Sequence, residues 1–237
     1  MTTDTHVIYR HSLATRLLHW VNALCVFMML MSGLQIFNAD PLLYWGQFGA
    51  NTDKPLISLA PGFPSWATIP GWRDLATGRR WHFFFAWLLI VNSATYLLLS
   101  IGNNHLGRDL LPRRRELALS HLAHDICNHF RLRFPKGPAA RHYNVLQKLA
   151  YVAVIFGLAP LLLATGLAMS PGIDAACPWL PTMFDGRQSA RTIHFIAALL
   201  VRIFILVHLA MVVLAGPWNE FRSMITGRYV IQPSKPE

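Results

Sequence analysis

Four stretches of the chain carry almost nothing but apolar side chains, and polar residues gather between them. The apolar runs are about Leu17–Phe37, Trp81–Ile101, Leu146–Met169 and Ala190–Ala215. Each is long enough, as an α-helix, to cross a hydrocarbon core about 30 Å thick. A helix also satisfies its own backbone polar groups there. The pattern predicts an all-α integral membrane protein, a four-helix transmembrane bundle forming one domain over residues 1–237, without an internal repeat. Pro160, inside the third run, is expected to bend or loosen that helix. The opening MTTDTHVIYRHS lacks a basic-then-apolar secretory pattern, so the first run reads as a retained helix.

The segments between the runs are distinctive. The first, about residues 38–80, contains Pro41, Pro55, Pro61, Pro64 and Pro70 interleaved with Trp45, Trp66 and Trp72. Loops of this length are usually functional or disordered, and the tryptophans predict an ordered cap at the membrane interface. The second, about residues 102–145, includes RRRELALSHLAHDICNHFRLRF, a candidate basic amphipathic helix. Its His105, His121, His124, His129 and His142 lie outside every apolar run and read as solvated or interfacial. The tail GPWNEFRSMITGRY resembles a further interfacial segment anchored by Trp218.

Composition agrees with a membrane class: 54% of residues are hydrophobic and 14% charged, with mean hydropathy +0.36. The net charge of +10 is unevenly placed. Arg108, Arg113, Arg114, Arg115, Arg131, Arg133, Lys136 and Arg141 fall in the second connection, with Arg10, Arg16, Arg222, Arg228 and Lys235 near the termini. The opposite side has Lys54, Arg73, Arg79, Arg80, Arg187 and Arg191, diluted by five aspartates. Cytoplasmic loops carry the Lys/Arg excess, so both termini are expected in the cytoplasm. A basic face beside anionic lipid accounts for the charge without nucleic acid. Cys25, Cys127 and Cys177 form no disulfide framework, no cysteine–histidine cluster resembles a zinc site, and the absence of C-x-x-C-H makes any haem b-type.

Histidines supply the candidate chemistry. His194 and His208 stand fourteen residues apart in the fourth run. On a helix that places them about 21 Å apart and roughly 40° short of a shared azimuth. Ionisable groups inside a membrane are functional by default. With both termini inside, His19 and His208 lie near the inner face, and His82 and His194 near the outer face. Two such pairs suit two stacked b haems, each iron held by two axial imidazoles, an arrangement for electron transfer rather than oxygen binding. Arg79, Arg80 and Arg191 are candidate propionate contacts of the outer haem. Arg10, Arg16 and Lys148 are candidates for the inner one. Arg202, midway along the fourth helix, either meets a structural partner such as a carbonyl or Asn92, or contacts a haem or quinone.

RHSLATRLLHW, WHFFFAW, YNVLQKLAY…ATGLAMSPG and IHFIAALLVRIFILVHLAMV together resemble the bacterial dihaem cytochrome b superfamily. This group includes cytochrome b561-type proteins and the cytochrome b subunits of nickel–iron hydrogenase, formate dehydrogenase and thiosulfate reductase. GPWNEFRSMITGRY brings it closest to partners of periplasmic molybdopterin oxidoreductases. The resemblance implies an inner-membrane subunit passing electrons between such an enzyme and the quinone pool. A quinone site is expected near the inner haem, with Arg16 and Asn22 as donors. The alternatives are a stand-alone membrane oxidoreductase acting on a small molecule such as superoxide, and a purely structural anchor.

Overall fold

A computed structural model describes residues 6–49, 53–104, 106–107, 111–113, 115–130 and 144–231. In chain order it contains β1 (His6–Tyr9), α1 (Leu13–Asn38), β2 (Leu42–Leu43), β3 (Ile57–Ser58), α2 (Leu75–Gly102), α3 (Leu119–Phe130), α4 (Val145–Val152), α5 (Ala159–Ala168), α6 (Pro171–Ala176), α7 (Trp179–Thr182), α8 (Arg187–Ala215), α9 (Pro217–Thr226) and β4 (Arg228–Ile231). Four helical segments are long and apolar enough to cross a membrane: Leu13–Asn38, Leu75–Gly102, Val145–Ala168 and Arg187–Ala215. The protein is a multi-pass membrane protein.

Three of these helices begin several residues before their apolar runs, because polar residues form their first turns. The Ser12 hydroxyl accepts the Thr15 N–H ahead of α1, and the Asp74 carboxylate accepts the Thr77 N–H ahead of α2. Both are side-chain caps of helix donors that have no partner within the helix. The third segment begins with a capping box between Asn144 and Gln147. Ala153–Leu158, just before Pro160, is a π-helical turn. Proline lacks the N–H of the regular ladder and crowds the carbonyl four residues back, and the wider turn accommodates it. The loosening expected at Pro160 takes this form.

The chain divides into two compact units. One comprises Met1–Asn22, Val91–Ala153 and Phe204–Glu237. Here β1 pairs antiparallel with β4, from His6 opposite Ile231 to Tyr9 opposite Arg228. Gly227 ends α9 with φ +79°, and a Cβ there would meet the Tyr9 ring at 2.6 Å, so only glycine fits. The Trp20 indole N–H donates to the Met224 carbonyl at 3.0 Å, and Arg10 pairs with Glu220 at 3.2 Å. Trp218 is 87% exposed, and Phe221 and Ile225 follow it on α9 as exposed apolar residues. α3 falls where the amphipathic helix is expected, with His124 exposed on it. His105, Arg108, Arg114, Arg131, Arg133, Lys136, Arg141, His142 and Lys235 lie outside the described residues, as do the side chains of His121 and His129.

The other unit comprises Ala23–Ile90 and Val154–Ile203. Its α1–α2 connection hangs on two buried amides at the end of α1. Gln35 donates to the Asp74 carbonyl at 2.6 Å and accepts the Gly71 N–H at 2.7 Å. Asn38 donates to the Phe63 carbonyl at 2.9 Å and accepts the Phe63 N–H at 2.7 Å. The start of α8 docks onto the same connection. The Gln188 and Ser189 N–H groups donate to the Gly46 carbonyl, and the Thr192 hydroxyl donates to the Tyr44 carbonyl at 2.7 Å. Phe37 stacks on Phe195 with centroids 4.5 Å apart.

Replacing Asn38 by Leu keeps the volume but strands the Phe63 N–H, while the Phe63 carbonyl keeps the Trp72 indole N–H at 2.8 Å. It should cost roughly 1–3 kcal/mol for the one unsatisfied group, measured by unfolding in detergent. Hydrogen bonds from the Thr77 hydroxyl and backbone hold the Asp74 carboxyl below the usual range. A depressed carboxyl stabilises the fold above its ordinary pKa, and that contribution disappears as pH falls through the depressed value. Asp74→Ala should therefore lower Tm near neutrality, and the gap to wild type should close in acid. A gap of equal size at both extremes would refute this role.

Candidate functional site

His82 on α2 and His194 on α8 meet within one unit, their ring centroids 6.2 Å apart and their planes at 64°. Each ring is tied by Nδ1 to a different helix. His82 Nδ1 lies 3.1 Å from the Met29 carbonyl and 3.2 Å from the Ser32 hydroxyl of α1. His194 Nδ1 lies 2.9 Å from the Thr165 hydroxyl of α5.

Proton counting fixes the chemistry of both rings. The Ser32 hydroxyl donates to the Met28 carbonyl at 2.6 Å, and the Thr165 hydroxyl donates to the Leu161 carbonyl at 2.6 Å. With those protons committed, each hydroxyl offers its ring only lone pairs. The backbone carbonyl beside His82 Nδ1 also only accepts. Nδ1 must therefore carry the proton, and Nε2 holds the free lone pair on the opposite side of the ring. The next residue is glycine in both helices. A Cβ on Gly33 would lie 3.4 Å from His82 Cε1, and one on Gly166 would lie 3.5 Å from His194 Cε1.

This donor set fits haem iron. The 6.2 Å between the ring centroids would leave room for one iron held by both rings. No group of three or more His, Cys, Asp or Glu side chains able to hold a metal ion occurs among the described residues. Two imidazoles alone suit a metal that brings its own equatorial ligands, as haem iron does.

The other histidine pair lies in the other unit. His208 is near enough to act electrostatically on His19. His208 stacks on Phe204 with centroids 6.0 Å apart, and His19 meets Trp20 edge-on at 5.6 Å. Among the described residues neither ring has a hydrogen-bond partner.

The expected cations fall into distinct settings. Arg191, one turn before His194, bonds the Asp40 carboxylate at 2.9 Å and also donates to the Asp40 carbonyl. Arg79 is exposed, its guanidinium 5.6 Å from the Phe83 ring centroid. Arg80 is also exposed; two residues from His82, it leaves the helix about 160° away from that ring. Arg16 donates to the Ile225 carbonyl, and its Nε is buried without a partner. Arg10 and Lys148 are committed to Glu220 and Glu116, the latter at 2.9 Å. The Asn22 side-chain oxygen accepts from Asn92 at 2.6 Å, and Asn92 also bonds the Leu18 carbonyl, a helix–helix contact. Asn92 is therefore engaged by α1 rather than by Arg202, which has no hydrogen bond or ion pair among the described residues.

Sequence reasoning missed five residues. Ser32–Gly33 and Thr165–Gly166 belong to the strings MSGL and ATGL, whose likeness is the available signal. Arg187 donates to the Met169 carbonyl at 2.7 Å. With Gln47, Met169, Gln188 and Arg191 it lines a cavity of about 260 Å³, beside which the Gln188 side-chain oxygen is buried without a partner. Its signal was the helical spacing Arg187, Arg191, His194 at i, i+4 and i+7.

Comparison with known proteins adds an independent line. Residues 10–227 match the family model described as prokaryotic cytochrome b561. The chain is 30% identical over 200 residues to the "Putative protein-methionine-sulfoxide reductase subunit YedZ1" of Azospira oryzae, covering 84% of this chain and 87% of that protein. It is 28% identical over 229 residues to the "Putative cytochrome YdhU" of Escherichia coli, covering 93% and 74%.

Proposed function

The chain belongs to the prokaryotic cytochrome b561 family, and on that footing we propose that it is the electron-transfer subunit of an inner-membrane oxidoreductase complex. It carries electrons between a periplasmic oxidoreductase and the membrane quinone pool, with two b haems as the carriers. Family membership implies haem b. The observation that carries the reading is the His82–His194 pair, with both Nδ1 atoms occupied and both Nε2 lone pairs free. When bound, haem supplies a one-electron carrier whose two imidazoles leave no open position, which suits electron transfer rather than substrate binding.

In this proposal His82 and His194 hold the outer haem, and His19 and His208 hold the inner one. The Lys/Arg distribution supports cytoplasmic termini. Arg191 and Arg79 are the proposed outer propionate contacts, and the cavity beside Arg187 supports adding that residue. Arg80 is the least suited of the original set because of its direction from α2. Arg16 serves the inner haem, its buried Nε being available.

The relative whose name describes a reductase subunit supports a partner enzyme, which we take to be a molybdopterin oxidoreductase in the periplasm. The residue 38–80 connection and the loop about residues 170–189 form the proposed docking surface, where Phe48, Trp66, Trp179 and Met183 are exposed. The quinone site belongs beside His19 and His208, with Arg16 and Asn22 as its polar groups. Electrons entering from an outer enzyme use both haems only if they leave at the inner one.

Purified protein should hold two b haems per chain by pyridine haemochrome assay. His82→Ala or His194→Ala should remove one of them, and His19→Ala or His208→Ala the other. Retention of both haems in any of these variants would overturn the ligand assignment. In stopped-flow experiments a quinol should fail to reduce the haem that remains in His208→Ala. Reduction at the wild-type rate would move the quinone site to the outer haem.

A further inference from the structure

We propose that Ser32 and Thr165 are positioning residues that set the redox potential of the haem held by His82 and His194, and of that haem alone. The inference rests on the reading that this pair ligates a haem. It goes beyond it by assigning a role to two hydroxyls that touch neither iron nor substrate.

The geometry is the same twice over, on unrelated helix pairs. In α1 the sequence of groups is the Met28 and Met29 carbonyls, the Ser32 hydroxyl and Gly33. In α5 it is Leu161 and Leu162, the Thr165 hydroxyl and Gly166. In each case the hydroxyl bonds back to the carbonyl four residues earlier and presents lone pairs to the Nδ1 of a ring from the neighbouring helix. A serine or threonine in an apolar helix often bonds back in this way with no further role. Here the back-bond has a consequence, because it determines which ring nitrogen keeps the proton. A glycine follows each hydroxyl, next to the Cε1 of the ring.

A ring that donates from Nδ1 to a protein acceptor is a more basic ligand through Nε2. That stabilises ferric over ferrous iron and lowers the potential. Deleting the Ser32 hydroxyl leaves His82 Nδ1 the Met29 carbonyl, so the haem should stay bound while its potential rises. The other pair provides an internal control, since neither His19 nor His208 has such a hydroxyl among the described residues.

The test is a spectroelectrochemical titration of the purified holoprotein, with each of its two waves assigned by its loss in His82→Ala or His19→Ala. Ser32→Ala combined with Thr165→Val should move the His82 wave positive by about a tenfold change in the ferric–ferrous equilibrium, about 59 mV for one electron. The His19 wave should not move. The exchange variants Ser32→Thr and Thr165→Ser, which keep the hydroxyls, should leave both waves in place. Loss of that haem in the deletion variant would overturn the proposal, because a residue that only tunes the potential is not needed to hold the haem. An unmoved His82 wave, equal movement of both waves, or an exchange variant that shifts the wave as the deletion does would also overturn it. Wild-type protein without haem, or a full pair of waves in His82→Ala, would instead overturn the haem reading beneath it.

Discussion

A neutral imidazole in an apolar layer has one nitrogen that donates and one that accepts, and water is not there to satisfy either. In the His82–His194 pair the chain settles the donor half and leaves the acceptor half open. That constraint organises much of the surrounding unit. α1 must bring a carbonyl and a hydroxyl to the His82 ring, and α5 a hydroxyl to the His194 ring. α2 and α8 must enter at a height that lets the rings meet 6.2 Å apart. The means are the Asp74 cap and the Gln35 bonds for α2, and the Gly46 and Tyr44 carbonyls for α8.

The buried side chains are accordingly polar to an unusual degree. Ser32, Gln35, Thr165, Ser189 and Thr192 are fully buried, whereas Phe27, Trp87, Leu206 and Val213 are exposed. Apolar surface has nothing to gain from turning inward when the surroundings are hydrocarbon, so small and hydrogen-bonding residues form the helix contacts instead. Ser32, Gln35 and Asn38 recur every third residue along α1. The first serves a ring, and the next two hold the long connection. Loop and site are thus fastened to one polar stripe.

The sequence revealed most where a single physical quantity was decisive. Run length alone located the four spans, and the error lay at their starts, where capping turns around Leu13, Leu75 and Arg187 carry no hydropathy signal. His19 with His208, and His82 with His194, each fall within one unit. Ser32 and Thr165 were silent because a hydroxyl in an apolar helix looks the same whether or not a ring approaches it. Their role depends on a partner fifty residues away in one case and twenty-nine in the other. Asn22 and Asn92 illustrate the same limit: each was legible as polar, but only the fold pairs them. Arg187 was legible by spacing and was passed over as a topology charge.

In the proposed reading the two histidine pairs use the same ligand type, and α8 supplies one ring to each, yet they are not chemical copies. His194 rests its Nδ1 on a hydroxyl, while His208 lies flat against Phe204. His82 is held as His194 is, while His19 meets the edge of Trp20. Ligand identity helps set a haem's potential, but the partners behind the ligands shift it further. Four identical ligands therefore suffice for two unequal sites. A chain of two carriers needs that inequality if electrons are to favour one end over the other. On this account the asymmetry is written in MSGL and ATGL rather than in the histidines. The same ligand quartet, with other residues at positions 32 and 165, would then set a different difference between its two haems.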